Sequence, residues 1–191
     1  MVGMDVMRFL KLCVLCASAL WATAAVVHAK PPVTFTGVVT HVSDGDTLWV
    51  RPAGGAVTGD KVGAKSPAGA GDVVKIRFQG IDAPEICQSG GAAAQAALKA
   101  RVLRQTVTVQ SSRFDDYGRM LARIDVGTTQ GADDLGAWMV SQGHAWSYRY
   151  RNSPGPYAAQ EQAARAAQRG VWAVPGAIEP RVFRKQHGPC R

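Results

Sequence analysis

Five short stretches of alternating apolar and polar residues, broken by turns, constrain this 191-residue chain more than any other feature. From Val33 to His41, Val33, Phe35 and Val39 share one phase while Thr34, Thr36 and Thr40 share the other. That period of two marks a half-buried strand. The turn Ser43-Asp44-Gly45-Asp46 leads into a second strand, Thr47 to Arg51, so the pair reads as a hairpin. Val73 to Phe78 alternates again, with Val74, Ile76 and Phe78 inward and Lys75 and Arg77 outward. Thr106 to Gln110 and Arg119 to Val126 supply a fourth and a fifth strand, separated by the turn formers Asp115-Asp116-Tyr117-Gly118.

Helical signals fall between and after these strands. Gly90-Gly91 opens an Ala-rich segment through Leu98, Val102 and Leu103. A second helix is expected from Asp133 to Gly143, and a third from Pro156 to Arg169 with Gly170 as its C-cap. Arg165 and Arg169 give the third helix a basic face expected to be solvated, and Trp138, Trp146 and Trp172 read as packing residues. The fold class that follows is α+β, a five-stranded OB-type barrel with three helices. Barrels of that type hold oligonucleotides or sugars on their surface and loops. Pro52 to Gly71 shows neither period and reads as a mobile Gly/Ala-rich loop.

The first thirty residues have a different character. Arg8 and Lys11 precede an uncharged run from Leu12 to Val27, and Val27-His28-Ala29 offers small residues where a signal peptidase reads. The run is shorter than the ~20 residues a bilayer span wants, so a cleaved secretory signal over residues 1–29 is expected, with an uncleaved anchor as the alternative. The domain then spans 30–180 and a tail 181–191, in an extracytoplasmic (periplasmic or secreted) protein with no stable membrane association after cleavage. Cys13 and Cys16 leave with the signal. Cys87 and Cys190 remain, and in an oxidising compartment they are expected to pair.

Composition narrows the function classes. With 47% apolar and 19% charged residues the chain can build a core, which excludes wholesale disorder. The 22 basic against 14 acidic residues leave a net charge of +8, which suits an anionic partner. Four cysteines without paired CxxC motifs argue against structural zinc, and His28, His41, His144 and His187 lack metal-ligand spacing.

Three polar clusters do not belong to a core: Asp44-Gly45-Asp46-Thr47, Arg77 to Glu85, and Asp116-Tyr117-Gly118-Arg119. Each alone reads as a turn, and the first lacks the Gly and Glu spacing of an EF-hand. Together they make a chemical set. The hard carboxylates Asp46 and Asp82, with a backbone carbonyl, suit Ca²⁺. Glu85 can orient or deprotonate a water. Arg77 and Arg119 can clamp a phosphate and meet the charge of a phosphoryl transition state. Acids and arginines together point to phosphodiester cleavage.

Taken in order, these motifs resemble the thermonuclease (staphylococcal nuclease-like) family. Further matches are Gly143-His144-Ala145-Trp146 with Tyr148 and Tyr150, and Gly170-Val171-Trp172; the resemblance covers roughly residues 33 to 175. It implies an endonuclease that hydrolyses DNA and RNA with Ca²⁺, single strands favoured, leaving 3′-phosphate ends, and acting as a monomer. The resemblance assigns Asp46, Asp82 and the Ala83 backbone carbonyl to the metal and Glu85 to the attacking water. Arg77 and Arg119 fall on the scissile phosphate, Tyr117 and Tyr148 flank the nucleotide, and Asp44 is an outer carboxylate. Asp116 stands where the family commonly has lysine, and Ala83 where it often has threonine. Two other readings are a catalytically inactive OB-type nucleic-acid-binding module and a Ca²⁺-binding envelope protein; retention of Arg77, Glu85 and Arg119 speaks against both.

Overall fold

A computed structural model describes residues 33–54, 73–128, 131–188 and 190. The expected signal (1–29) lies outside these residues, as does the 52–71 loop beyond residue 54. The barrel strands are β1 (Val33–Val42), β2 (Thr47–Pro52), β3 (Val74–Phe78), β5 (Thr106–Phe114) and β6 (Met120–Thr128), with short strands β4 (Ile81–Asp82), β7 (Gly131–Asp134) and β8 (Trp146–Ser147) added. The main sheet runs β3-β2-β1-β5-β6-β7, and a parallel pairing of Ile76–Phe78 with Met120–Ala122 closes it into a barrel. This is the expected OB-type α+β fold. Helices α1 (Gly91–Val102), α2 (Leu135–Ser141), α3 (Ala158–Ala166) and α4 (Pro180–His187) accompany it. The fourth helix was not anticipated and lies where a tail was expected.

Alternation places the core as the pattern predicts in β3, where Val74, Ile76 and Phe78 are buried. In β1 the simple alternation breaks. The register with β2 shifts between Val39 and His41, so Val39 and Val42 both point inward and His41 is exposed. That shift is a bulge: one extra residue moves the following side chains to the opposite face. Leu98 and Val102 of α1 and Leu135, Met139 and Val140 of α2 complete the core.

Local signals explain the helix ends. Asp134, one residue later than expected, caps α2 by accepting from the amides of Gly136 and Ala137. Helix α3 is shorter than expected and stops at Ala166; Gly170 is not its cap but opens a 3-10 turn, Gly170–Ala173. Gly170 is required for another reason. A Cβ there would lie 2.3 Å from the Gly143 carbonyl, and one on Gly143 would lie 2.1 Å from the Arg169 carbonyl. Two backbones touch at this point, and φ is +53° and +73° at the two glycines. The basic face is exposed, as read, and its arginines also have partners: Arg165 pairs with Glu161 at 2.7 Å and lies over the Trp172 ring, and Arg169 donates to the Ser141 carbonyl.

Candidate active site

The site begins with the turn between β1 and β2. Asp44 accepts the amide of Asp46 at 2.9 Å, which tightens the turn and aims the Asp46 side chain inward, where it is 3% exposed. Asp46 then accepts from three donors: Thr47 Oγ1 at 3.0 Å, Arg77 Nη1 at 2.5 Å and the Ala83 amide at 3.0 Å. Arg77 reaches the seat from the polar phase of β3, and its other arm, Nη2, donates to Asp82 Oδ1 at 2.9 Å. A left-handed turn at Gly80 (φ +84°) reverses the chain so that β4 presents Asp82, 2% exposed, to the same guanidinium. The two acids therefore face each other across one arginine.

Glu85 follows on the loop that leads to α1. This loop lies hard against the helix: a Cβ on Gly91 would fall 1.9 Å from the Glu85 carbonyl. Gln88 caps the loop by accepting the Glu85 amide at 3.2 Å. The third expected cluster occupies the turn between β5 and β6. There Asp115 accepts the backbone amides of Tyr117 and Arg119 and the Arg119 Nε at 2.7 Å. Burial works against the Asp115 carboxylate, yet the Arg119 bonds outweigh it and hold its pKa below the ordinary value. The guanidinium of Arg119 sits over the Tyr117 ring, 5.4 Å from its centroid, and the ring is 85% exposed.

One open cavity of about 990 Å³ collects much of this set: Arg77, Glu85, Tyr117, Arg119, Tyr148 and Arg184 line it. Asp46 and Asp82 are buried behind Arg77: both Asp82 oxygens and one Asp46 oxygen accept from guanidinium groups, and the other Asp46 oxygen accepts the Ala83 amide. Arg184, from α4, is the functional-site residue that sequence reasoning missed. Its Nη2 donates to Asp82 Oδ2 at 2.9 Å, and its Nη1 donates to Asp82 Oδ1 at 3.2 Å and to Glu85 Oε1 at 2.8 Å. Two signals for the helix were present: Pro180 at its first turn and Arg184, Lys185 and His187 in its last. Nothing local, however, connects Arg184 to Asp82. Cys87, two residues beyond Glu85, is joined to Cys190 by a disulfide with the Cα atoms 5.7 Å apart.

Burial and the neighbouring charges act in opposite directions on these acids. Burial and the neighbouring Asp46 push the Asp44 carboxyl up to about 7. Burial also raises Asp82 against the pull of Arg184 and Arg77. Burial lowers the Arg184 pKa, but the hydrogen bonds to Asp82 and Glu85 more than reverse this and raise it. Closely placed buried acids without nearby positive charge would be forced to keep protons. Hard oxygen donors of this kind fit a Ca²⁺-type ion. Among the described residues no three acidic, imidazole or thiol side chains form a ready metal cage. A cation held by Asp46 and Asp82 would therefore take its remaining oxygens from backbone and water.

Comparison with known proteins identifies the family. The family model described as "Staphylococcal nuclease homologue" matches residues 75–174. The chain is 33% identical to the Escherichia coli protein ParB, over 86% of this chain and 88% of that one. It is 32% identical to a micrococcal nuclease of Shigella flexneri, again over 86% and 88%. An uncharacterized endonuclease of Escherichia coli O157:H7 matches at 30% identity over 78% of this chain and 84% of its own length.

Proposed function

This chain belongs to the staphylococcal nuclease family, and from that premise we propose that it is an extracytoplasmic, Ca²⁺-dependent endonuclease that cuts DNA and RNA, single strands in preference, to leave 3′-phosphate ends. The observation that carries the reading is the gathering of Arg77, Glu85 and Arg119 around one open cavity directly above the buried Asp46 and Asp82.

In this reading Asp46, Asp82 and the Ala83 carbonyl hold the ion. When bound, Ca²⁺ supplies positive charge at the scissile phosphate and at the attacking water. Glu85 sits at the cavity wall and accepts the proton of that water as its oxygen attacks phosphorus. Arg119 stabilises the leaving 5′ oxygen, and Arg77 meets the charge on the non-bridging oxygens. The new P–O bond comes from water, the P–O5′ bond breaks, and the 3′ side keeps the phosphate. Both arginines must change partners to do this: Arg77 now rests on Asp46 and Asp82, and Arg119 on Asp115. Tyr117 and Tyr148, 85% and 41% exposed, offer stacking faces that tolerate any base. The net charge of +8 draws the polyanion in, so affinity falls steeply with salt.

The disulfide accords with an oxidising compartment, and among the described residues no helix is long and apolar enough to cross a membrane. Residues 30–180 form the nuclease domain, which acts as a monomer. The test is digestion of single-stranded DNA by the purified protein with Ca²⁺ or with EGTA, beside Glu85→Gln. Calcium-dependent cleavage that the variant loses supports the assignment. Binding without cleavage in any divalent metal would instead make the chain an inactive binding module.

A further inference from the structure

The C-terminal helix places a third guanidinium on the acids of the site, beyond the residues 75–174 that the family model matches. We propose that Arg184 is an internal competitor of the divalent cation: it occupies the Asp82–Glu85 seat, and α4 withdraws when the ion binds. This rests on the reading of Asp46 and Asp82 as the metal seat.

The geometry of the contact is that of an occupant. The Arg184 fork engages both oxygens of Asp82 while one arm also binds Glu85. Those are the lone pairs a cation needs on Asp82 and a water needs on Glu85. A divalent ion sharing Asp82 with a guanidinium would set like charges a few ångströms apart in a partly buried site, where repulsion is poorly screened. The two cations therefore exclude each other. In the absence of the ion the same arginine neutralises acids that burial otherwise penalises.

Helix α4 is attached in a way that allows it to leave. It has eight residues, too few for an isolated helix to persist. Its apolar contacts are few: Pro180 is buried and Phe183 half-buried, but Val182 is 39% exposed and the Phe183 ring stacks on His187 of the same helix. The Arg184 side chain is 35% exposed although Asp82 beneath it is 3% exposed, so water reaches the guanidinium from its outer side. Besides the buried Pro180 and a long Arg149–Glu179 ion pair at 3.9 Å, the segment is held by a hydrogen bond from Gln88 Nε2 to the Ile178 carbonyl at 2.7 Å, ahead of the helix, and by the Cys87–Cys190 disulfide behind it. The anchors Cys87 and Gln88 lie two and three residues after Glu85. The tether raises the local concentration of the guanidinium at the seat without fixing it there.

Competition lowers the apparent affinity for the ion by the fraction of molecules with the seat free. An arginine seated about nine-tenths of the time weakens Ca²⁺ binding about tenfold. Calorimetric titration of the disulfide-intact protein with Ca²⁺ alone, without nucleic acid, tests this. Arg184→Ala and Arg184→Gln are both expected to bind Ca²⁺ about tenfold more tightly than the parent, and Cys190→Ser to shift the same way by less. Backbone amides of 181–188 should exchange faster once the parent is loaded. Equal or weaker affinity in both Arg184 variants, with binding still lost in Asp46→Asn, would overturn the competitor and leave the metal seat standing. Absence of Ca²⁺ binding in every protein, parent included, would overturn the metal reading and the competitor with it.

Discussion

The carboxylate of Asp46 accepts the backbone amide of Ala83 at 3.0 Å across 37 positions of sequence. That bond docks the turn between β1 and β2 onto the exit of β4. Asp46 is thus both an anchor for the loop that carries Glu85 and a proposed ligand. Replacing its charge while keeping its shape separates the two roles.

Asp46→Asn retains an oxygen for the Ala83 amide and removes the negative charge. Calcium-dependent cleavage should fall at least about a hundredfold, since a bound ion is worth several kcal/mol of transition-state stabilisation. Asp82→Asn should do the same. Initial rates on single-stranded DNA, beside a thermal melt showing that the barrel persists, check it. An undiminished rate in a folded variant removes that acid from the metal site.

Gly91→Ala acts on Glu85 without touching it chemically. The new methyl group would meet the Glu85 carbonyl at 1.9 Å, so the loop must move away from α1. A displacement of about 1 Å costs on the order of a hundredfold in turnover when the moved group is catalytic. The expected signature is a fall in kcat with little change in KM, read from steady-state kinetics. An unchanged kcat would mean that Glu85 needs no such alignment.

Glu161 is a buried carboxylate, 2% exposed, that accepts the Ser147 amide and is paired with Arg149 and Arg165. Glu161→Ala strands a buried amide and frees two arginines. Those arginines are 38% and 48% exposed, so solvent recovers part of the loss. A destabilisation of about 2–4 kcal/mol follows, read from urea denaturation midpoints. Glu161→Gln should lose less, because it still accepts the amide. Ser147 precedes Tyr148, so stacking at the cavity should weaken together with stability.

His144 gives stability a pH dependence of known sign. Burial holds its pKa below the ordinary imidazole value. The unfolded chain therefore takes up a proton near pH ~6.5 that the folded chain refuses. Its contribution is fully present above that pH and is lost as pH falls through the window below it. Urea midpoints measured at falling pH should drop for the parent and drop less for His144→Gln. Parallel slopes for the two proteins would assign the acid sensitivity to other groups.

Much of the barrel was legible because alternation is a local property. Val74, Ile76 and Phe78 announce their own burial, whatever strand they meet. The acids and arginines of the site were legible as types, since no core explains them. Less could be read where pairing partners decide. The bulge after Val39 depends on the register β2 imposes, and β5 runs on to Phe114 because β6 pairs with it that far. Neither is written in the residues themselves. The terminal helix carried start and stop marks, but without an apolar stripe long enough to stand out it read as a tail.

Outside the β1 bulge, sequence alone determined which strand side chains face the barrel interior and which charged residues crowd the turns, because both follow from residue type and spacing of a few positions. Tertiary structure decided their partners. Arg77 reaches Asp46 from 31 positions away, and Arg184 reaches Asp82 from 102. A charge finds the nearest opposite charge in space, and distance in space is set by barrel closure, the Gly80 turn and the Cys87–Cys190 tether together. No window along the chain contains that information.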